Sequence, residues 1–217
     1  PFSHSIEGAY IRHGKKLQAK GSLPGKQLPN NHEHLGSYII KKTDFDGGIT
    51  QILKRDGFDF AVLSKFIKGD SDNLVANQIL HSDIDCDRMD YLTRDAHHTG
   101  IKYGQVDRDY ILYHLTRFKK GSKEQLGIKE NALHAAEDFL IARFSWYSQV
   151  VRNSSSAKFD VLAAHITSYL LEHGLIHSYK ELMESAGSEP ERFFGFNDVY
   201  FMGLIQNLYW TKKITDP

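Results

Sequence analysis

Four side chains between residues 87 and 98 combine type and spacing in a way that could bind a phosphorylated ligand: Asp87, Tyr91, Asp95 and His98. They are separated by four, four and three residues, so a helix would carry them on one polar stripe. From Asp87 to Asp95 that stripe runs about 12 Å, at about 1.5 Å of rise per residue. The distance matches the span from the phosphate to the sugar and base of a nucleotide. A carboxylate at one end suits a hard cation or a polarised water. Tyr91 offers a ring for stacking and a hydroxyl, and Asp95 can accept from a sugar hydroxyl. Met89, Leu92 and Ala96 fall off the stripe and are expected to face the core. Spacing alone also fits a solvated acidic face, and at this level both readings stay open. A second pair, His4 and Glu7, sits three residues apart on one helical face.

Residue identities are more specific than spacing. Residues 85–95 read DCDRMDYLTRD, followed by Ala96-His97-His98-Thr99-Gly100-Ile101. This resembles the metal-ligand helix of the HD-domain deoxynucleoside triphosphate triphosphohydrolases, in their deoxyguanosine triphosphohydrolase-like branch. That family's pattern is Asp-x-Asp-(Lys or Arg)-x-Asp-Tyr-x-x-Arg-Asp, then two His and a Gly-Ile. The opening Pro1-Phe2-Ser3-His4-Ser5-Ile6-Glu7 resembles its Pro-Phe-Ser-His-x-x-Glu segment. Asn31-His32-Glu33-His34 resembles its (Thr or Asn)-His-Glu segment, and Phe139-Leu140-Ile141-Ala142-Arg143 extends the likeness into a long helix. Together these matches span residues 1–152, and the remainder matches less specifically.

The resemblance implies a role for each matching residue. In the family an isolated His, an adjacent His-Asp pair and a distant Asp bind a divalent metal ion, of which Mn, Mg, Fe, Ni and Zn are all admissible. Asp87 matches the distant Asp, and the other three ligands are expected ahead of Pro1. His4, oriented by Glu7, is implied to protonate the leaving oxygen. His32 is implied to stabilise charge near the scissile phosphate. Arg88 and Arg143 match phosphate contacts, and Tyr91 and Asp95 match residues that hold the sugar. Simpler readings stand beside these. His4 could be a capping or core histidine, His32 an exposed loop residue, and Tyr91 core packing. Arg88 and Arg143 could be helix salt-bridge partners. One departure bears on specificity: where the family runs on to a Tyr, a His and a Lys, this chain has Val151, Asn153 and Ser154.

Helices must position these groups. A short helix is expected from Pro1 to His13, then a polar surface loop from Gly14 to Leu35, rich in Gly and Pro. Apolar sets at Ile49, Ile52 and Leu53, at Phe58, Val62, Leu63, Phe66 and Ile67, and at Leu74, Ile79 and Leu80 predict helical pieces. Gly100 should stop the motif helix. Residues 101–106 read as short and extended, Tyr110 to Phe118 as helical, and Lys119 to Lys123 as a basic turn around Gly121. Leu133, Ala136, Leu140, Phe144, Tyr147 and Val151 predict a long helix over 131–151. The Asn153-Ser154-Ser155-Ser156 run should break it or cap the next helix, which should stop near Gly174. Two further apolar stretches lie near 179–183 and 199–209.

The fold class expected is therefore all-α, a mainly helical HD-domain fold with at most minor short strands. Residues 1–120 would form the catalytic core, without its His and His-Asp ligand segment, and residues 121–217 a helical extension of the same domain. Lys plus Arg and Asp plus Glu balance at 27 each, so no whole-chain field favours nucleic acid or an anionic membrane. Neither is an expected partner. Cys86 is the single cysteine, which excludes an intrachain disulfide and cysteine zinc sites and fits a reducing, cytoplasmic setting. No run of about 18 apolar residues suggests a membrane span. The start has neither Met nor signal-peptide character, so part of the protein is expected to precede Pro1. His32-Glu33-His34 is not a zincin motif, because Gly36 stands where its second His would be. Phosphate-binding Gly-rich loops and nucleophile-elbow serines are absent too. The function expected is metal-dependent hydrolysis of a nucleotide, foremost a deoxynucleoside triphosphate to deoxynucleoside and triphosphate. The alternatives are a nucleotide-binding regulator with impaired catalysis and a hydrolase of another phosphate ester. By the same resemblance, a nucleotide effector and a homo-oligomer are expected.

Overall fold

The computed structural model describes residues 3–21 and 31–211. Pro1 and Phe2 of the leading motif, and residues 22–30 of the expected loop, lie outside the described residues. The fold is mainly helical, with one two-stranded antiparallel hairpin among the described residues. The chain divides into two compact units, one from residues 1–60 and 160–217, the other from residues 61–159. Residue 120 falls inside the second unit, at the end of a hairpin strand.

In the first unit, α1 covers Ser3–Ala19 and α2 covers His32–Lys42. The polar loop expected to start at Gly14 is thus helical through Ala19, and Leu35, its expected end, lies inside α2. Burial explains the longer α1. Ile6, Tyr10, Gly14 and Leu17 follow one another at steps of four, four and three, and all are buried or half-buried. Packing along that stripe outweighs the low helix propensity of one glycine. Asn31 starts α2, its side chain accepting from the His34 amide at 2.9 Å. After α3 (Ile49–Arg55), the unit is completed by the later turns of α9 (Ser154–Glu172), by α10 (Tyr179–Ser188), α11 (Pro190–Gly195) and α12 (Asp198–Trp210). Its core is Tyr10, Leu170, Leu171, Ile176, Phe201 and Leu208. The buried Tyr10 hydroxyl donates to the His177 carbonyl at 2.5 Å, so the ring enters the core without leaving a polar atom unpaired.

In the second unit, α4 (Phe60–Lys68) and α5 (Leu74–His81) precede the motif helix α6 (Cys86–Thr99). Gly100 ends α6 in the left-handed conformation at φ 70°, as its position predicts. Residues 102–104 make a tight turn against α6. Gly104 is required there, because a Cβ would sit 2.2 Å from the Leu92 carbonyl oxygen. The helix expected over Tyr110 to Phe118 is instead α7 (Arg108–Tyr113) followed by β1 (Leu115–Lys120). β1 pairs with β2 (Lys123–Ile128), Leu115 opposite Ile128 and Lys120 opposite Lys123. The helical period stops where Ile111 is fully buried. Beyond it the chain reverses at Gly121 (φ 64°), and the cross-strand ladder takes over the backbone hydrogen bonds. α8 (Leu133–Trp146) continues into a wider π-type turn over 147–151, close to the extent expected. Asn153 then caps α9, accepting from the Ser155 and Ser156 amides at 3.0 Å each. Met89, Leu92 and Ala96 of α6 are buried with Ile111, Phe139 and Trp146, which fixes the direction of the polar stripe.

Candidate functional site

The first unit brings three of the sequence-predicted residues together. His4 lies in the first turn of α1, Glu7 one turn further on, and His32 opens α2. His4 Nδ1 is 3.2 Å from Glu7 Oε2, and His32 Nδ1 is 3.2 Å from Glu7 Oε1. Each carboxylate oxygen therefore faces a different imidazole. The two rings meet edge-on with centroids 5.5 Å apart. Glu7 is 24% exposed, against 82% for the His4 side chain and 61% for His32. Half-buried acid thus anchors two imidazoles that stay open to solvent, which suits proton exchange or ligation. Ligand atoms of these three residues all lie within 4.8 Å of one another, the one such grouping among the described residues. Sequence reasoning did not single out Glu33, whose Oε1 lies 3.3 Å from His32 Nε2. Its place as the Glu of the His-Glu segment is the signal that could have found it.

The second unit carries the polar stripe. Asp87 is exposed in the first turn of α6, Tyr91 and Asp95 are half-buried further along, and His98 is exposed. Burial, and then a hydrogen bond to Tyr147, hold the Tyr91 hydroxyl above the usual phenol range. That bond runs from Tyr91 to the Tyr147 hydroxyl at 3.4 Å. Arg143 donates to Asp83 at 3.1 Å, and its guanidinium lies 5.8 Å from the Tyr147 ring centroid. Tyr147 and Asp83 thus join this region without having been singled out. The i,i+4 spacing of Arg143 and Tyr147 is the signal that could have found the first.

Arg88 is held differently. It donates to the Ser82 carbonyl at 2.6 Å and to Asp85, whose carboxylate is buried and also accepts from the Arg88 amide at 2.8 Å. Asp85 is therefore the cap of α6, and Arg88 is its charge partner. The metal ion implied by the resemblance needs two imidazoles and two carboxylates. Of that set this chain has Asp87, and one exposed carboxylate does not hold a transition ion tightly.

No known protein-family profile matches the chain. It is similar to YwfO of Bacillus subtilis, described as an uncharacterized protein, at 30% identity over 190 residues; the match spans 82% of this chain and 38% of YwfO. It is also similar to an uncharacterized protein of Methanocaldococcus jannaschii, MJ1154, at 38% identity over 98 residues, spanning 45% of this chain and 22% of that protein. The chain therefore spans less than two fifths of either relative. Among solved structures, a hypothetical protein from Aquifex aeolicus superposes with a TM-score of 0.64 at 21% identity, covering 96% of this chain and 57% of that one. That likeness establishes a shared fold and nothing about activity. Among the described residues, no helix is long and apolar enough to cross a membrane.

Proposed function

We propose that this chain forms part of an HD-type metal-dependent phosphohydrolase acting on a nucleotide, foremost a deoxynucleoside triphosphate. The observation that carries the reading is the meeting of His4 and His32 on the Glu7 carboxylate, each at 3.2 Å. These are the residues to which the sequence resemblance assigns proton transfer and charge stabilisation, and they come from segments 25 residues apart. In this reading Glu7 orients His4, His4 protonates the leaving deoxynucleoside oxygen, and His32 faces the charge developing on the phosphate. Arg143, Tyr91 and Asp95, in the second unit, keep the phosphate and sugar roles that the resemblance gives them. Asp87 is assigned to a divalent cation, the role that the resemblance gives it.

A binding role without turnover is the second reading. It is favoured by Asn153, which caps α9 at a position where the family has a His. The test is to incubate the full-length protein with Mn²⁺ or Mg²⁺ and a panel of nucleotides, and to separate the products. Deoxynucleoside and tripolyphosphate should appear, and Asp87→Ala should abolish them. Failure to release any nucleoside or phosphate, or full activity in Asp87→Ala, would overturn the hydrolase; tight nucleotide binding without products would favour the second reading.

A further inference from the structure

We propose that His4, Glu7 and His32 form a three-ligand site for a divalent cation of the zinc class. Two imidazoles and one carboxylate make a donor set that suits Zn²⁺, Co²⁺, Ni²⁺ or Fe²⁺ and does not suit Mg²⁺ or Ca²⁺. The spacing fits. Tetrahedral ligands at about 2.0–2.1 Å from a zinc ion lie about 3.3 Å from one another. Each Glu7 oxygen lies 3.2 Å from an imidazole Nδ1. Ligand atoms of all three lie within 4.8 Å of one another, so the two exposed rings must turn inward to share one ion.

A second observation points the same way. Metal-bound imidazoles usually place their other ring nitrogen against a carboxylate, which fixes the ring. His32 has Nδ1 towards Glu7 and Nε2 3.3 Å from Glu33 Oε1. The other Glu33 oxygen is buried without a hydrogen-bond partner, so this carboxylate is held in the protein rather than spread into solvent. Three protein ligands, two of them largely exposed, leave a coordination position open to water or to a ligand oxygen.

Ion and proton compete for the same nitrogens. A cation bound here takes His4 and His32 out of acid–base service. That consequence rests on the phosphohydrolase reading; the binding itself does not.

Cobalt(II) titration of the metal-free full-length protein tests the site through the visible absorption of the bound ion. One Co²⁺ per chain should depend on this cluster. Glu7→Gln and His32→Ala should each lose that saturable equivalent of bound ion. Glu33→Gln should weaken binding by about 10–100-fold, as supporting carboxylates do elsewhere. Circular dichroism should show both ligand variants folded, since the His32 ring is mostly exposed and Glu7→Gln preserves shape. Co²⁺ uptake unchanged in Glu7→Gln and His32→Ala overturns the site. The two readings separate cleanly. A protein that hydrolyses nothing yet takes up Co²⁺ through Glu7 and His32 keeps this site and loses the hydrolase. An active protein whose Co²⁺ signal ignores those variants does the reverse.

Discussion

The His4–Glu7–His32 cluster and the stripe around Tyr91 hold their polar groups in opposite ways. In the first, the imidazoles are open and share one carboxylate. In the second, both arginines already have acidic partners, and those partners differ. Asp83, beside Arg143, is 83% exposed, whereas Asp85, beside Arg88, is 2% exposed. Releasing an arginine from an exposed carboxylate costs about 0–1 kcal/mol. Leaving a buried carboxylate unpaired costs about 3–5 kcal/mol. Arg143 is therefore the freer of the two to turn to a ligand, and Arg88 is committed to the start of α6. The resemblance gives these two residues equal standing as phosphate contacts, and their surroundings do not.

The contrast can be broken at several points. If the proposed hydrolysis holds, His4→Ala in the full-length protein should lower it by about 10²–10⁴-fold, the usual weight of a general acid, with little change in folding. A rate within a few-fold of wild type would remove the imidazoles from the chemistry. Arg88→Ala should cost about 3 kcal/mol in urea unfolding, because it removes the charge partner of the buried Asp85. Arg143→Ala should cost less than about 1 kcal/mol while raising the KM for nucleotide. Reversed results for the two arginines would undo the distinction. Gly104→Ala should destabilise by about 1–3 kcal/mol, since its methyl would collide with the α6 backbone that carries the stripe.

A smaller effect than that of Arg88→Ala should come from the capping box of α10, in the unit that holds His4 and His32. There Ser178 and Glu181 satisfy each other's backbone amides. Ser178→Ala should cost about 1 kcal/mol by urea unfolding. The Ser178 amide, and then its hydroxyl, hold the Glu181 carboxyl below the usual glutamate range. A carboxyl lowered on folding stabilises the protein above its unfolded pKa. That contribution fades as pH falls through the folded value. The stability gap between wild type and Glu181→Ala should accordingly be full at neutral pH and narrow on acidification, measured as urea midpoints at both.

Much of the second unit is legible in the chain itself. Met89, Leu92 and Ala96 occupy the buried face that their spacing predicts, Gly100 stops α6, and Asn153 caps α9. Each is a local matter of helical period or of backbone groups at a helix end. The strand after Tyr113 was not legible, because Leu115–Lys120 takes its structure from a partner strand beyond Gly121. The last turns of α1 were hidden as well. Gly14 and the lysines around it read as loop, and packing of the stripe through Tyr10, Gly14 and the half-buried Leu17 keeps them helical.

Residue type and spacing alone determined which groups could do chemistry: the stripe on α6, and His4 and Glu7 on one turn. Tertiary structure decided which of them meet and which are already engaged. His32 reaches Glu7 across a separation of 25 residues, and Arg88 is tied to a buried acid while Arg143 is tied to an exposed one. Helical periodicity acts over a few residues and can be read from the chain, whereas burial and contact between distant segments arise only when the chain packs.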